Sequence, residues 1–134
     1  MQRTVAALPF TIFLVALPGC HGHSNRNPAS PTGPPVLMAV TPSHASVGDV
    51  IALSGSAFAP SGNAIRIGAG YLHGVASEGG TSLSFPLPSA LTPCPPGTDA
   101  CITLALVVTP GTYQVSVINA KGTSNALPLQ VVAR

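Results

Sequence analysis

Few residues in this chain could carry acid–base or nucleophilic chemistry, and they lie far apart. Asp49, Glu78 and Asp99 are its only carboxylates. Glycosidic cleavage needs two carboxyl groups opposed across a cleft, and nothing in the spacing brings two together. Asp49 follows Gly48 in a turn, Asp99 lies between two cysteines, and Glu78 precedes Gly79-Gly80. Serines are plentiful, and His44 and His73 could act as bases. The Gly-x-Ser-x-Gly turn that would expose a nucleophile is missing, however. His21-Gly22-His23 offers two imidazoles to a metal, with His44 or His73 as a third ligand. Two ligands one residue apart in a segment of linker composition do not fix a coordination geometry, so they read as solvated residues. Gly68-Ala69-Gly70 precedes neither a lysine nor a helix and reads as a hairpin turn rather than a phosphate loop. No catalytic residue, metal or cofactor is expected.

Charge excludes another class. Charged residues make up 6% of the chain, against about 25% in ordinary soluble domains. The formal charge is +2, spread over Arg3, Arg26, Arg66, Lys121 and Arg134. Nucleic-acid binding demands a basic stripe that tracks a phosphate backbone, and these residues form none.

The cysteines carry more information. Met1-Gln2-Arg3 is a short positive start, and residues 4–17 form an apolar run broken only by Pro9. That run is shorter than the roughly 20 residues of a membrane span and suits the core of a signal peptide. It ends in Leu17-Pro18-Gly19-Cys20, which resembles the lipobox of bacterial lipoproteins. Pro18 stands where that family usually has Ala, Ser or Thr. The resemblance implies cleavage after residue 19, lipidation of Cys20 and attachment to a membrane of the cell envelope. His21 follows Cys20 where an aspartate would favour inner-membrane retention, so the implied address is the outer membrane in a Gram-negative cell. An ordinary secretory peptide cut nearby would instead leave Cys20 a spectator. Three cysteines in an oxidising compartment leave one odd thiol. Lipidation of Cys20 removes it and leaves Cys94 and Cys101 as a pair across Pro95-Pro96-Gly97, where the chain can reverse. The alternative is two reduced thiols.

The elements that would position these residues are all strands. Residues 20–35, rich in Pro, Gly, Ser and Asn, lack apolar periodicity and read as a tether. Short apolar runs then recur at 36–41, 50–54, 64–67, 71–77, 83–87, 102–108, 113–118 and 127–132, punctuated by Gly and Pro. The pattern predicts one all-β domain over 36–134, a two-sheet β-sandwich.

Two segments resemble the IPT/TIG family of immunoglobulin-like domains. Residues 35–42 with Val47-Gly48-Asp49-Val50 and Ser54-Gly55-Ser56-Ala57-Phe58 are similar to the family's opening. Pro110-Gly111-Thr112-Tyr113, Asn119, Gly122 and Ser124-Asn125 are similar to its close. The cysteine-bearing stretch 89–101 is longer than the family's usual link. The resemblance implies an immunoglobulin-like sandwich in which Gly48 and Gly55 serve turns, Phe58 plugs one end of the core and the Tyr113 hydroxyl bonds back to nearby backbone as a tyrosine corner.

Such domains mostly bind or space other parts. The expected function is a non-catalytic, lipid-anchored envelope module that acts on a protein partner. The alternative is an accessory domain for carbohydrate or another surface polymer, which the scarcity of aromatic platforms (only Tyr71 and Tyr113) disfavours. The candidate contact face is Thr103, Ala105 and Val107. Residues 102–108 are apolar on both faces, whereas Gln114 and Ser116 mark a wet side on the next strand. Either the cysteine loop covers that outer face or a partner does.

Overall fold

The computed structural model describes residues 32–98, 101 and 104–134, and these contain strands and turns but no helix. The expected signal peptide, Cys20 and most of the expected tether lie outside the described residues. The last tether residues already touch the domain. Pro35 is buried, and Pro34 lies against the position where a side chain on Gly122 would begin.

One sheet joins β1 (Val36–Thr41), β3 (Val50–Ser56), β7 (Ser82–Pro86) and β6 (Ser77–Glu78) in that order. The other joins β2 (His44–Ala45), β12 (Leu127–Val131), β10 (Gly111–Asn119), β4 (Asn63–Ile67) and β5 (Gly70–Val75), with β11 (Gly122–Thr123) folded back on β10. A separate ribbon pairs β8 (Ala90–Leu91) with β9 (Leu106–Val107). All ladders are antiparallel except β2 with β12. The two larger sheets share a single core, so the domain is a β-sandwich.

Side-chain period 2 explains which residues fill it. Along β3, Ile51, Leu53 and Gly55 point inward while Val50, Ala52 and Ser54 point out. On β7, Leu83 and Phe85 meet them, being paired with Leu53 and Ile51. From the opposite sheet come Ile65, Ile67, Val115, Val117, Leu129 and Val131, all buried. Burying a Val, Leu, Ile or Phe side chain contributes about 1.5–3 kcal/mol, which makes this the main source of stability.

Turn chemistry follows the glycines. Gly68-Ala69 closes the β4–β5 hairpin with Gly68 at φ +60°, as expected of a hairpin turn. Gly48, at φ +95°, sits in a loop where its N–H donates to the Leu87 carbonyl and Asp49 Oδ2 accepts from the Ser46 N–H. Gly55 differs from its expected role, because it lies inside β3 opposite Leu37 and not in a turn. A Cβ there would collide with the Val36 carbonyl oxygen and stand 2.7 Å from Phe58 Cζ. Glycine is required for close approach, with the buried Phe58 ring packed over it.

Three strand expectations need correction. The run 71–77 divides: β5 ends at Val75, and Ser77 crosses to the other sheet to pair with Leu83. Gly74, at φ +73°, lies in a bulge that shifts the register between Ile65 and Asn63, and the first ladder ends one pair later at Asn63 with Val75. In the run 102–108 only Leu106–Val107 is strand among the described residues. Its partner β8 is confined between Pro88 and Pro93, and prolines cannot extend a ladder as donors. Ser116 is not on a wet side, being only 6% exposed in the middle of its sheet.

Candidate interaction surface

The stretch between β7 and β10 forms an arm on the margin of the six-strand sheet. Cys94 and Cys101 are joined by a disulfide, with Cα atoms 5.7 Å apart, which pins its far end. Tyr71 of β5 and Thr92 exchange backbone hydrogen bonds of 2.8 and 3.2 Å. His73 Nε2 donates to the Cys94 carbonyl at 2.8 Å. Leu91 is buried so tightly on β5 that a Cβ on Gly70 would reach its side chain at 2.5 Å. The arm thereby covers the edge of β5 and extends that sheet outward through β8 to β9.

Within β9 the two faces differ. Leu106 packs on the core and Val108 is buried. Ala105 and Val107 are exposed, Val107 at 70%, beside Leu104 at 75%. The cysteine loop therefore leaves this outer face uncovered among the described residues. Thr103, the third member of the expected face, lies outside them. Ala105 also borders an open depression of about 270 Å³ whose other walls are Ala90, Leu91, Thr92 and Pro93. Between Glu78 and Lys121 the sequence holds no charged residue except Asp99, so the arm is almost charge-free.

The residues weighed for chemistry stay dispersed. Asp49 bonds the Ser46 N–H and faces Arg134 at 3.7 Å, an exposed pair. Glu78 ends β6, and Asp99 lies outside the described residues. His44 Nδ1 meets its neighbour Ser43 Oγ at 3.0 Å, but among the described residues no carboxylate bonds His44 or His73. No three His, Cys, Asp or Glu residues among those described gather to hold a metal. Tyr71 and His73 stack with ring centroids 6.2 Å apart, the nearest approach to an aromatic platform.

Of the structural signature residues, Tyr113 acts where the arm rejoins β10. Tyr113 Oη donates to the Thr109 carbonyl at 2.8 Å and accepts from the Thr109 N–H at 3.1 Å. This is the tyrosine corner expected from sequence. Its ring rests where a Cβ on Gly68 would lie at 2.9 Å. Three asparagines carry roles that sequence reasoning did not assign, although Asn119 and Asn125 lie in the segment that resembles the family's close. Asn63, fully buried, accepts from the Ala59 N–H and donates to the Ala59 and Val75 carbonyls. Asn125 pairs with both backbone groups of Leu37, at 2.9 and 2.8 Å, and so occupies the outer edge of β1. Asn119 Nδ2 donates to the carbonyl of Ala57, a residue held at φ +58°. The available signal was an isolated Asn beside strand residues, which sequence shares with any turn.

No family model and no curated protein matches the chain. Among solved structures, the crystal structure of a gamma-CGTase from alkalophilic Bacillus clarkii is similar over 75% of this chain and 12% of that one. The identity is 23% and the TM-score 0.55. At that identity the likeness is one of fold, and the chain corresponds to a small part of that protein's length.

Proposed function

We propose that this chain is a non-catalytic binding or assembly module of the IPT/TIG, immunoglobulin-like type, carried on the cell envelope by a lipid on Cys20. The strand order of the two sheets, the Gly55–Phe58 packing and the Tyr113 corner support the family reading. The lipobox-like Leu17-Pro18-Gly19-Cys20 supports the anchor, with the outer membrane as its address where the cell has one. The module acts by protein–protein contact through the arm. One observation carries this: Leu104, Ala105 and Val107 form an exposed, uncharged apolar stretch that no described residue covers. Exposed apolar residues that cluster, unlike scattered ones, mark contact sites.

The second reading, binding of carbohydrate or another surface polymer, draws on the Tyr71–His73 stack beside the arm. A photocrosslinking side chain at Ala105, compared with one at the exposed Val50 of the other sheet, tests the first reading in intact cells. Capture of protein from position 105 and not from position 50 is expected. No protein capture from 105, with glycan binding that depends on Tyr71, would replace it with the second.

A further inference from the structure

The domain has two ends along its strands, and the tether meets one of them. Pro35 is buried there, and Pro34 lies against Gly122. β1 begins at the next residue, with Val36 paired to Ser56 of β3, and the hairpin turn that carries Lys121 ends at Gly122. The arm leaves β7 at the other end, past the pair of Val50 with Pro86, about 20 Å along β3 from Ser56.

The tether end carries an unusual set of side chains. Met38 is the extra residue of a bulge, set between the Leu37–Gly55 and Ala39–Ser54 pairs, and it is 66% exposed. Bulges re-aim side chains in this way. Val36, two residues earlier, is exposed as well. Edge strands usually carry charge, but β1 carries none. Its backbone is closed where the Asn125 amide takes both groups of Leu37, so this edge offers apolar side chains rather than a ladder for another strand. Lys121 is exposed and adjoins the residue that Pro34 touches. The other described cations have partners elsewhere: Arg66 donates to the Gly68 carbonyl in the β4–β5 turn, and Arg134 faces Asp49. Glu78 lies on β6, the edge of its sheet farthest from β1.

We propose that Val36, Met38 and Lys121 dock the tether end of the domain on the lipid surface that holds Cys20, with the apolar pair at the acyl boundary and the lysine against anionic headgroups. The inference rests on the reading of Cys20 as lipidated and adds a second contact to it. Position selects the occupant. The chain from Cys20 to Pro34 spans at most about 50 Å, so the bilayer stays within reach of this end. Chemistry agrees, because apolar side chains beside a cation match an interface of acyl chains and anionic headgroups. Acyl chains supply no hydrogen bonds, and the closed backbone of Leu37 needs none. Tethering also raises the effective concentration of the two surfaces, so a contact too weak to recruit a free protein suffices. Docking by this end points the far end, where the arm departs, away from the bilayer.

Lipid contact can be read residue by residue. The full chain with Met38→Cys or Val50→Cys, both exposed positions on the same sheet, is labelled with a thiol-reactive fluorophore. It is reconstituted in vesicles of phosphatidylethanolamine and phosphatidylglycerol with ordinary or brominated acyl chains, since bromine quenches a dye that reaches the acyl region. Quenching of at least about twofold at position 38 and none at position 50 is expected. Lys121→Glu should lower the ratio of quenched to unquenched label at 38 by at least about fivefold, the effect of one lysine near an anionic surface. Met38→Asp, read by a label at Val36→Cys, should abolish quenching. No quenching at 38, equal quenching at 38 and 50, or indifference to Lys121→Glu overturns the docking. Capture of a protein by a photocrosslinking side chain at 38 also overturns it. Labelled palmitate on the same chains separates docking from the anchor: uptake that depends on Cys20 without quenching at 38 overturns docking alone, and no uptake overturns both.

Discussion

Replacing Asn63 with Ala should destabilise the domain well beyond what its size suggests. The side chain is fully buried and makes three hydrogen bonds. Its loss leaves the Ala59 N–H without a partner and takes one donor from the carbonyl of Val75, which is still paired with Asn63 in the β4–β5 ladder. The Ala59 carbonyl keeps one, because Ser77 Oγ donates to it at 2.7 Å. An orphaned buried polar group costs about 1–3 kcal/mol. With the packing of the side chain lost as well, the expected loss is about 2–4 kcal/mol. For a domain near 100 residues this lowers Tm by roughly 8–25 °C. Asn63→Asp separates hydrogen bonding from packing, since it keeps the shape but turns a donor into an acceptor facing two carbonyls. Its ionised form is opposed there, so the folded-state pKa of the introduced carboxyl lies above its unfolded value. Stability is then retained below the unfolded pKa and lost as pH rises through the folded one. Urea denaturation of wild type and both variants across the acidic range checks this. An Asn63→Ala loss under about 1 kcal/mol, or an Asn63→Asp variant indifferent to pH, would refute the reasoning.

Other outcomes follow from the same geometry. Gly55→Ala should cost about 1–3 kcal/mol or more, and trimming the ring with Phe58→Leu should not rescue it, because the Val36 carbonyl is fixed backbone; chemical denaturation of the single and double variants decides. Tyr113→Phe should cost about 0.5–1.5 kcal/mol through its lost bonds to Thr109, read by the same assay. Non-reduced peptide mapping should recover Cys94 and Cys101 linked, and their reduction should cost about 2–2.5 kcal/mol in the chain-entropy model for so short a loop. Labelled palmitate should enter the wild-type chain and not Cys20→Ala, and equal labelling of the two would remove the anchor.

The fold was legible where side-chain alternation is strong. Ile51 and Leu53 flanked by small residues announce β3, and Val115 with Val117 announce β10. It was least legible where pairing depends on a distant partner. Nothing in 102–108 reveals that its ladder ends with β8, because the limit comes from Pro88 and Pro93 on another segment. Gly55 was singled out correctly but for the wrong reason, since a steric requirement from Phe58 and Val36 exists only after the sheets close. The roles of the asparagines were not legible because an amide that imitates a strand, as Asn125 does for Leu37, leaves no local pattern. Of the contact face, its apolar character could be read along the chain, but whether the cysteine loop covers it required coordinates.

The account turns on whether Val107 lies on a working surface, and Val107→Lys tests that directly. At 70% exposure the lysine meets solvent, so the melting transition should stay within about 2–4 °C of wild type while the protein crosslinked at the arm in intact cells disappears. A collapsed melting transition would mean that Val107 belongs to the core, and an unchanged transition with unchanged crosslinking would mean that the contact does not run through Val107; either result contradicts the account.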